Sequence, residues 1–254
     1  MAYPSLLLVH GAANGAWVWD AWRAALKLLG WQVNVLDLRG HGRSLPADMT
    51  GVSMEDYVSD IESVAGQIAA HYGRYPVIGG WSMGGLLAMM HAAGHPETPA
   101  LLLFAPSPPL EVQGKGTPEG IRRTPLAPFG PELYGIYPDD LQRSLPALFD
   151  LNADEAARVL EMSRGAEESG LARRQRKTGI SIPAGAIQCP AMVIHGTADS
   201  AISPEHSRET GCLLGAAIAS VDGVGHWGIV ANRDVAADLA PAVDDWLRSV
   251  LQDE

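Results

Sequence analysis

Six short apolar runs punctuate the chain, at residues 5–9, 32–36, 76–80, 100–105, 191–195 and 216–221. The first, Ser5-Leu6-Leu7-Leu8-Val9, is continuous, as expected of a strand buried on both faces of a parallel sheet. Between the runs apolar residues recur every three or four positions, which predicts helices over 16–29, 54–72, 83–94 and 234–251. The punctuation agrees. Gly30 stands where the first helix would stop, Ser53 precedes the second with Glu55 and Asp56 in its first turn, and Ser203-Pro204 opens another. Pro241 falls inside the last helix and is expected to kink or interrupt it.

This alternation predicts an α/β fold, a doubly wound and mainly parallel sheet of about six strands with helices on both faces and right-handed crossovers. In strand order 2-1-3-4-5-6 the winding would reverse between the first and third strands, bringing the loop after His10 beside the turn after residue 80. After Pro106-Ser107-Pro108-Pro109 the pattern breaks, and one helix, at 154–165, is visible before the alternation resumes. An insertion of that size is too long for a structureless loop and reads as a mostly helical cap. The expected organisation is a core at 1–106 and 189–254, with the cap or lid at 107–188 inserted between its two parts.

Composition narrows this picture without redirecting it. The 254 residues are 47% hydrophobic and 19% charged, the balance of one large soluble domain, and no apolar run reaches membrane-spanning length. A formal net charge of -11 argues against nucleic acid and anionic membranes as partners. Cys189 and Cys212 make no disulfide framework and lack metal-ligand spacing. The chain enters an apolar strand almost at once without a basic leader, so a cytoplasmic location is expected.

The candidate chemistry centres on Gly80-Trp81-Ser82-Met83-Gly84, a G-x-S-x-G match that leaves an apolar strand and opens a helical segment. Such a turn holds its serine in a strained conformation with the hydroxyl exposed above the sheet. A serine hydroxyl needs an imidazole to take its proton, and the imidazole needs a carboxylate to fix its tautomer. Asp199 follows the fifth strand and His226 the sixth, in the chain order this arrangement requires. Asp222 is a rival acid, but it shares a short loop with His226. His10 and His41 precede the serine, and His195 is a further rival near a strand end. His71, His91, His95 and His206 fall on helices and read as surface residues. An oxyanion would need two backbone N–H groups, for which Met83, directly after the serine, and Ala12, in the loop after the first strand, are the candidates.

Taken together, HGAANGAW from His10 to Trp17, DLRGHGRS from Asp37 to Ser44, GWSMGG from Gly80 to Gly85, HGTAD from His195 to Asp199 and GHW from Gly225 to Trp227 resemble the α/β-hydrolase superfamily. The resemblance covers the whole chain except the cap. It implies a Ser82, Asp199, His226 triad and an Ala12 and Met83 oxyanion hole. Starting directly at the strand before the HG loop, the chain is similar to the compact serine carboxylesterase branch related to hydroxynitrile lyases. Serine at 82 differs from the aspartate of epoxide hydrolases and haloalkane dehalogenases, and Gly11 and Trp227 count against cyanohydrin cleavage. The GWSMGG elbow resembles that of esterases acting on acyl-carrier-linked methyl esters.

The implied activity is hydrolysis of a carboxylic ester through an acyl-enzyme, on a small, largely apolar substrate and with no metal or cofactor. A lactone, a thioester or a carbon–carbon bond next to a ketone suits the same residues, and a hydrolase-fold receptor is the reading from another class. Trp81, Trp227, Phe129, Tyr137 and Phe149 are the candidate pocket residues. The basic run Arg173-Arg174-Gln175-Arg176-Lys177 could dock an acidic carrier or a phosphopantetheine arm, but a solvated helical face is the favoured reading.

Overall fold

The six apolar runs pair into one sheet. In the computed structural model, which describes residues 4–114 and 125–251, the strands are β1 (Leu6–Val9), β2 (Val33–Leu36), β3 (Val77–Trp81), β4 (Leu101–Phe104), β5 (Ala191–Gly196) and β6 (Ala217–Val221). Residues 115–124 of the expected cap and the extreme chain ends fall outside the described residues. All neighbouring strands are parallel, in the order β2-β1-β3-β4-β5-β6. The winding therefore reverses between β1 and β3, whose carboxyl ends meet at the pair Val9 and Gly80.

Side-chain alternation feeds two cores. Leu6, Leu8, Leu102 and Phe104 face one, with Trp19 and Trp22, while Leu7, Val9, Leu101 and Leu103 face the other. The first core is covered by α1 (Asp20–Leu28), α9 (Gly228–Ala231) and α10 (Arg233–Val250), and the Trp22 indole donates to the carbonyl of Ile229 at 2.8 Å. The second is covered by α2 (Met54–Tyr72), α3 (Met83–Gly94) and α8 (Pro204–Leu214). Ser53 caps α2 reciprocally with Asp56, each side chain accepting the other's backbone N–H, and Gly73 in the left-handed region ends it.

Pro241 does not interrupt α10, which continues through it. Both Pro241 and Ala237, whose carbonyl loses its partner there, are exposed, so that carbonyl is not left buried without a partner. Between β4 and β5 the described chain forms α4 (Leu110–Gln113), a 3-10 turn at Pro131–Tyr134, α5 (Leu141–Ser144), α6 (Ala153–Met162) and α7 (Gly170–Thr178). Sequence periodicity marked only α6. The run GLARRQRKT of α7 is too polar to show an apolar stripe, although Leu171, Ala172, Gln175 and Arg176 are buried.

Candidate active site

Ser82 is the residue between β3 and α3, with φ 54 and ψ -117. A non-glycine residue in that region is strained, and here the surrounding backbone enforces it. A Cβ at Gly80 would lie 2.1 Å from the Gly84 carbonyl oxygen, and one at Gly84 would lie 2.4 Å from that of Val9. No side chain fits at either position, which is the physical content of the glycines in the motif. The carbonyl of Ser82 accepts from the N–H groups of Gly85 and Ser107, and its own N–H donates to Phe104.

His226 and Asp199 meet across the ends of β5 and β6. The ring Nδ1 of His226 lies 2.7 Å from Asp199 Oδ2, while Asp199 Oδ1 accepts from the N–H groups of Ala201 and Ile202 at 2.8 and 2.9 Å. Both carboxylate oxygens of this buried side chain are thereby occupied, and His226 donates from Nδ1, leaving Nε2 as its basic nitrogen. The Trp81 indole donates to the His226 carbonyl at 3.1 Å, and the two rings lie 5.0 Å apart. Asp222 instead accepts from Thr197 Oγ1, and His195 is engaged by Ser220 and the Gly196 carbonyl. Neither rival approaches Ser82 through these contacts. No hydrogen bond joins Ser82 to His226 among the described residues, as is common before substrate aligns such a pair.

The loop from His10 to Asn14 runs beside the serine, and Gly11 approaches so closely that a Cβ there would lie 3.2 Å from that of Ser82. Neither the Ala12 nor the Met83 N–H has a hydrogen-bond acceptor among the described residues. Ala13 takes φ 54 and its N–H donates to Glu168 Oε2 at 3.1 Å. Glu168 is fully buried, and its other oxygen accepts from Tyr57 OH at 2.6 Å and Ser169 N–H at 2.7 Å. His41 Nε2 stands 3.4 Å away, an ion-pair contact rather than an aligned hydrogen bond. Burial opposes charge on both partners, yet the carboxylate raises His41, while His41 and the Tyr57 and Ser169 donors hold Glu168 down at about 2. His10 behaves oppositely. Burial and the adjacent His41 lower it to about 4, and as a neutral ring it donates Nδ1–H to the Gly11 carbonyl and accepts from the Leu38 N–H at Nε2.

Ser82, His226 and Ala12 open onto one cavity of about 610 Å3. Of the aromatic residues expected to line it, Trp81, Trp227 and Phe149 do so. Phe129 and Tyr137 are not in its wall: Phe129 packs edge-on against Tyr134, and the Tyr137 ring lies 3.7 Å beneath the Arg143 guanidinium. Aromatic identity alone does not distinguish a lining residue from a packing one. The basic run is also corrected, because Arg173, Arg176 and Lys177 line the cavity and Arg176 is buried there, so α7 does not present a plain solvated face. His206, read as a surface residue, reaches the same wall. Sequence reasoning missed Glu168, and also Asp150, which accepts the Gly225 N–H at 2.6 Å and so holds the His226 loop. No helix among the described residues is long and apolar enough to cross a membrane.

Comparison with known proteins places this arrangement among hydrolases. Residues 3–222 match the family described as serine aminopeptidase, S33. Over 218 residues the chain is 30% identical to a pimeloyl-acyl carrier protein methyl ester esterase of Chromobacterium violaceum, covering 79% of this chain and 78% of that protein. A protein of the same description from Xanthomonas campestris pv. campestris is 28% identical over 246 residues, 92% of each chain. Among solved structures, a thermophilic esterase from Thermogutta terrifontis superposes with a TM-score of 0.72 at 21% identity, covering 98% of this chain and 90% of that one. That likeness concerns the fold.

Proposed function

The chain belongs to the serine aminopeptidase S33 family of α/β-hydrolases, and from that premise we propose that it cleaves carboxylic esters through an acyl-enzyme formed on Ser82. The observation that carries this reading is the doubly held Asp199, buried behind His226 at 2.7 Å, with His226 and the strained Ser82 both on the wall of one cavity. His226 Nε2 takes the Ser82 proton as Oγ attacks the ester carbonyl, and Asp199 stabilises the imidazolium. The N–H groups of Ala12 and Met83, which have no acceptor among the described residues, receive the oxyanion. Collapse of the tetrahedral intermediate breaks the bond to the alcohol oxygen, which takes the proton from His226. Water activated by the same imidazole then releases the acid and restores Ser82. The segment 107–188 acts as a cap over the cavity, to which it contributes Tyr134, Phe149 and Arg176. The relatives described as methyl ester esterases favour a small alcohol as leaving group.

Intact-mass measurement after treatment with a fluorophosphonate probe tests the reading. A single adduct is expected on the wild type, absent in Ser82→Ala and formed much more slowly in His226→Ala. A folded wild type that takes no adduct would overturn the nucleophile assignment and leave a binding role for the same cavity.

A further inference from the structure

One cation in the cavity has no counter-ion among the described residues. Arg176, on α7, is only 7% exposed. Its Nη2 donates to Tyr134 OH at 2.6 Å, its Nη1 lies 3.4 Å from Ser107 Oγ, and its Nε has no partner among the described residues. Among the described residues no carboxylate lies within 4.0 Å of the guanidinium. An arginine cannot shed its proton, and a buried charge with only neutral partners is strongly unfavourable. Arg173 and Lys177 line the same cavity and, among the described residues, no aspartate or glutamate does, in a chain whose net charge is -11. The acids that dominate the molecule are excluded from this wall.

The position of the charge says what it would meet. Ser107, beside Arg176, donates its backbone N–H to the Ser82 carbonyl at 2.8 Å, so the guanidinium stands one residue away from the nucleophile. We propose that the substrate is a half-ester of a short dicarboxylic acid, its free carboxylate bound by Arg176 while the ester carbonyl lies at Ser82. This rests on the ester-cleaving reading of Ser82 and specifies its substrate class. A planar guanidinium offers parallel donors that match a carboxylate, and the Tyr134 and Ser107 hydroxyls flank the place that such a group takes. A protein-borne acidic partner fits less well, because the charge is inside the cavity and not on the surface a carrier would touch.

The test compares kcat/KM for monomethyl glutarate and monomethyl adipate with the uncharged dimethyl esters of the same acids. In the wild type the half-esters are preferred by about tenfold to a hundredfold, the worth of one charge-assisted hydrogen-bond pair. Arg176→Gln removes the preference and Arg176→Lys retains part of it. Because each ratio is taken within one protein, a general loss of folding or activity does not move it. A wild-type ratio of one or below, a ratio unaffected by Arg176→Gln, or a preference for a carrier-borne methyl ester over both half-esters overturns the proposal. Calorimetric binding of glutarate needs no turnover. If Ser82 takes no fluorophosphonate and no ester is cleaved, the esterase reading fails. Glutarate binding that is lost in Arg176→Gln then still upholds the carboxylate site, and its absence from the wild type refutes it.

Discussion

Glu168→Gln is the most informative single change away from the reacting atoms. The carboxylate is fully buried, with one oxygen accepting from Tyr57 and Ser169 and the other accepting from Ala13 while facing His41. A glutamine can keep the first pair by placing its carbonyl there, but its NH2 then opposes the Ala13 N–H and a cationic imidazole. The charge-assisted bond to Ala13 is worth about 1.5–3 kcal/mol, and breaking one side of a buried pair costs about 3–5 kcal/mol. The two overlap, so we expect a loss of about 3–5 kcal/mol, a large share of the roughly 5–15 kcal/mol of a whole domain.

Urea unfolding as a function of pH tests that figure and its cause. Glu168 is lowered from 4.5 to about 2, so its contribution is complete above pH 4.5 and disappears as the pH falls towards 2. His41 is raised from 6.5, so its contribution is complete below 6.5 and is lost as the pH rises through its folded value. The clasp therefore adds most between about pH 4.5 and 6.5. In Glu168→Gln that extra stability vanishes, and kcat falls because Ala13 adjoins the proposed oxyanion donor Ala12. A change below about 1 kcal/mol throughout this window would refute the reasoning.

Three further outcomes follow from the same geometry. Asp199→Asn should lower kcat about 10³–10⁴-fold, because the Ala201 and Ile202 N–H groups claim the amide oxygen and turn its NH2 against His226 Nδ1–H; a drop below about tenfold would contradict this. Gly84→Ala should destabilise by about 3 kcal/mol or more and slow fluorophosphonate labelling, since its Cβ meets the backbone oxygens of Val9 and His10 at 2.4 and 2.5 Å; an unfolding midpoint equal to that of the wild type would contradict the close approach. With iodoacetamide at pH 8, mass mapping should find the exposed Cys212 modified and Cys189, whose thiol burial pushes up to about 11, intact until the protein unfolds.

The sheet was legible because its strands are short, largely apolar runs, the central ones buried on both sides, as Leu6–Val9 and Leu101–Phe104 are. Ser82, Asp199 and His226 were legible for a related reason. Ser82 directly follows β3, Asp199 and His226 fall in the loops after β5 and β6, and a parallel sheet gathers those positions at one end. Asp150, Glu168 and Arg176 had no comparable signal. They lie in the segment between β4 and β5, where periodicity is weak, and their partners Gly225, Ala13 and Ser107 are 75, 155 and 69 positions distant in sequence. A run of arginines on a polar helix has the same composition whether it faces water or a cavity. Only the docking of the helix decides.

That docking is itself traceable to side chains. Ser169 Oγ donates to the Val52 carbonyl at 2.5 Å and caps α7, while Gln175 accepts the Met54 N–H at 2.8 Å and donates to Glu55 at 2.7 Å. Both ends of α7 are thus fastened to the start of α2, which fixes the rotation of the helix about its own axis. Glu168, immediately before α7, then meets Ala13, and Arg176, in its last turn, enters the cavity beside Ser107. The residue that holds the loop of the proposed oxyanion donor and the residue proposed to hold substrate charge are therefore positioned by the same anchored helix. A substitution that loosens the shared anchor, such as Gln175→Ala, should reduce kcat on neutral esters and the preference for half-esters together. If one changed without the other, Glu168 and Arg176 would be positioned independently, and the shared-anchor account of α7 would fail.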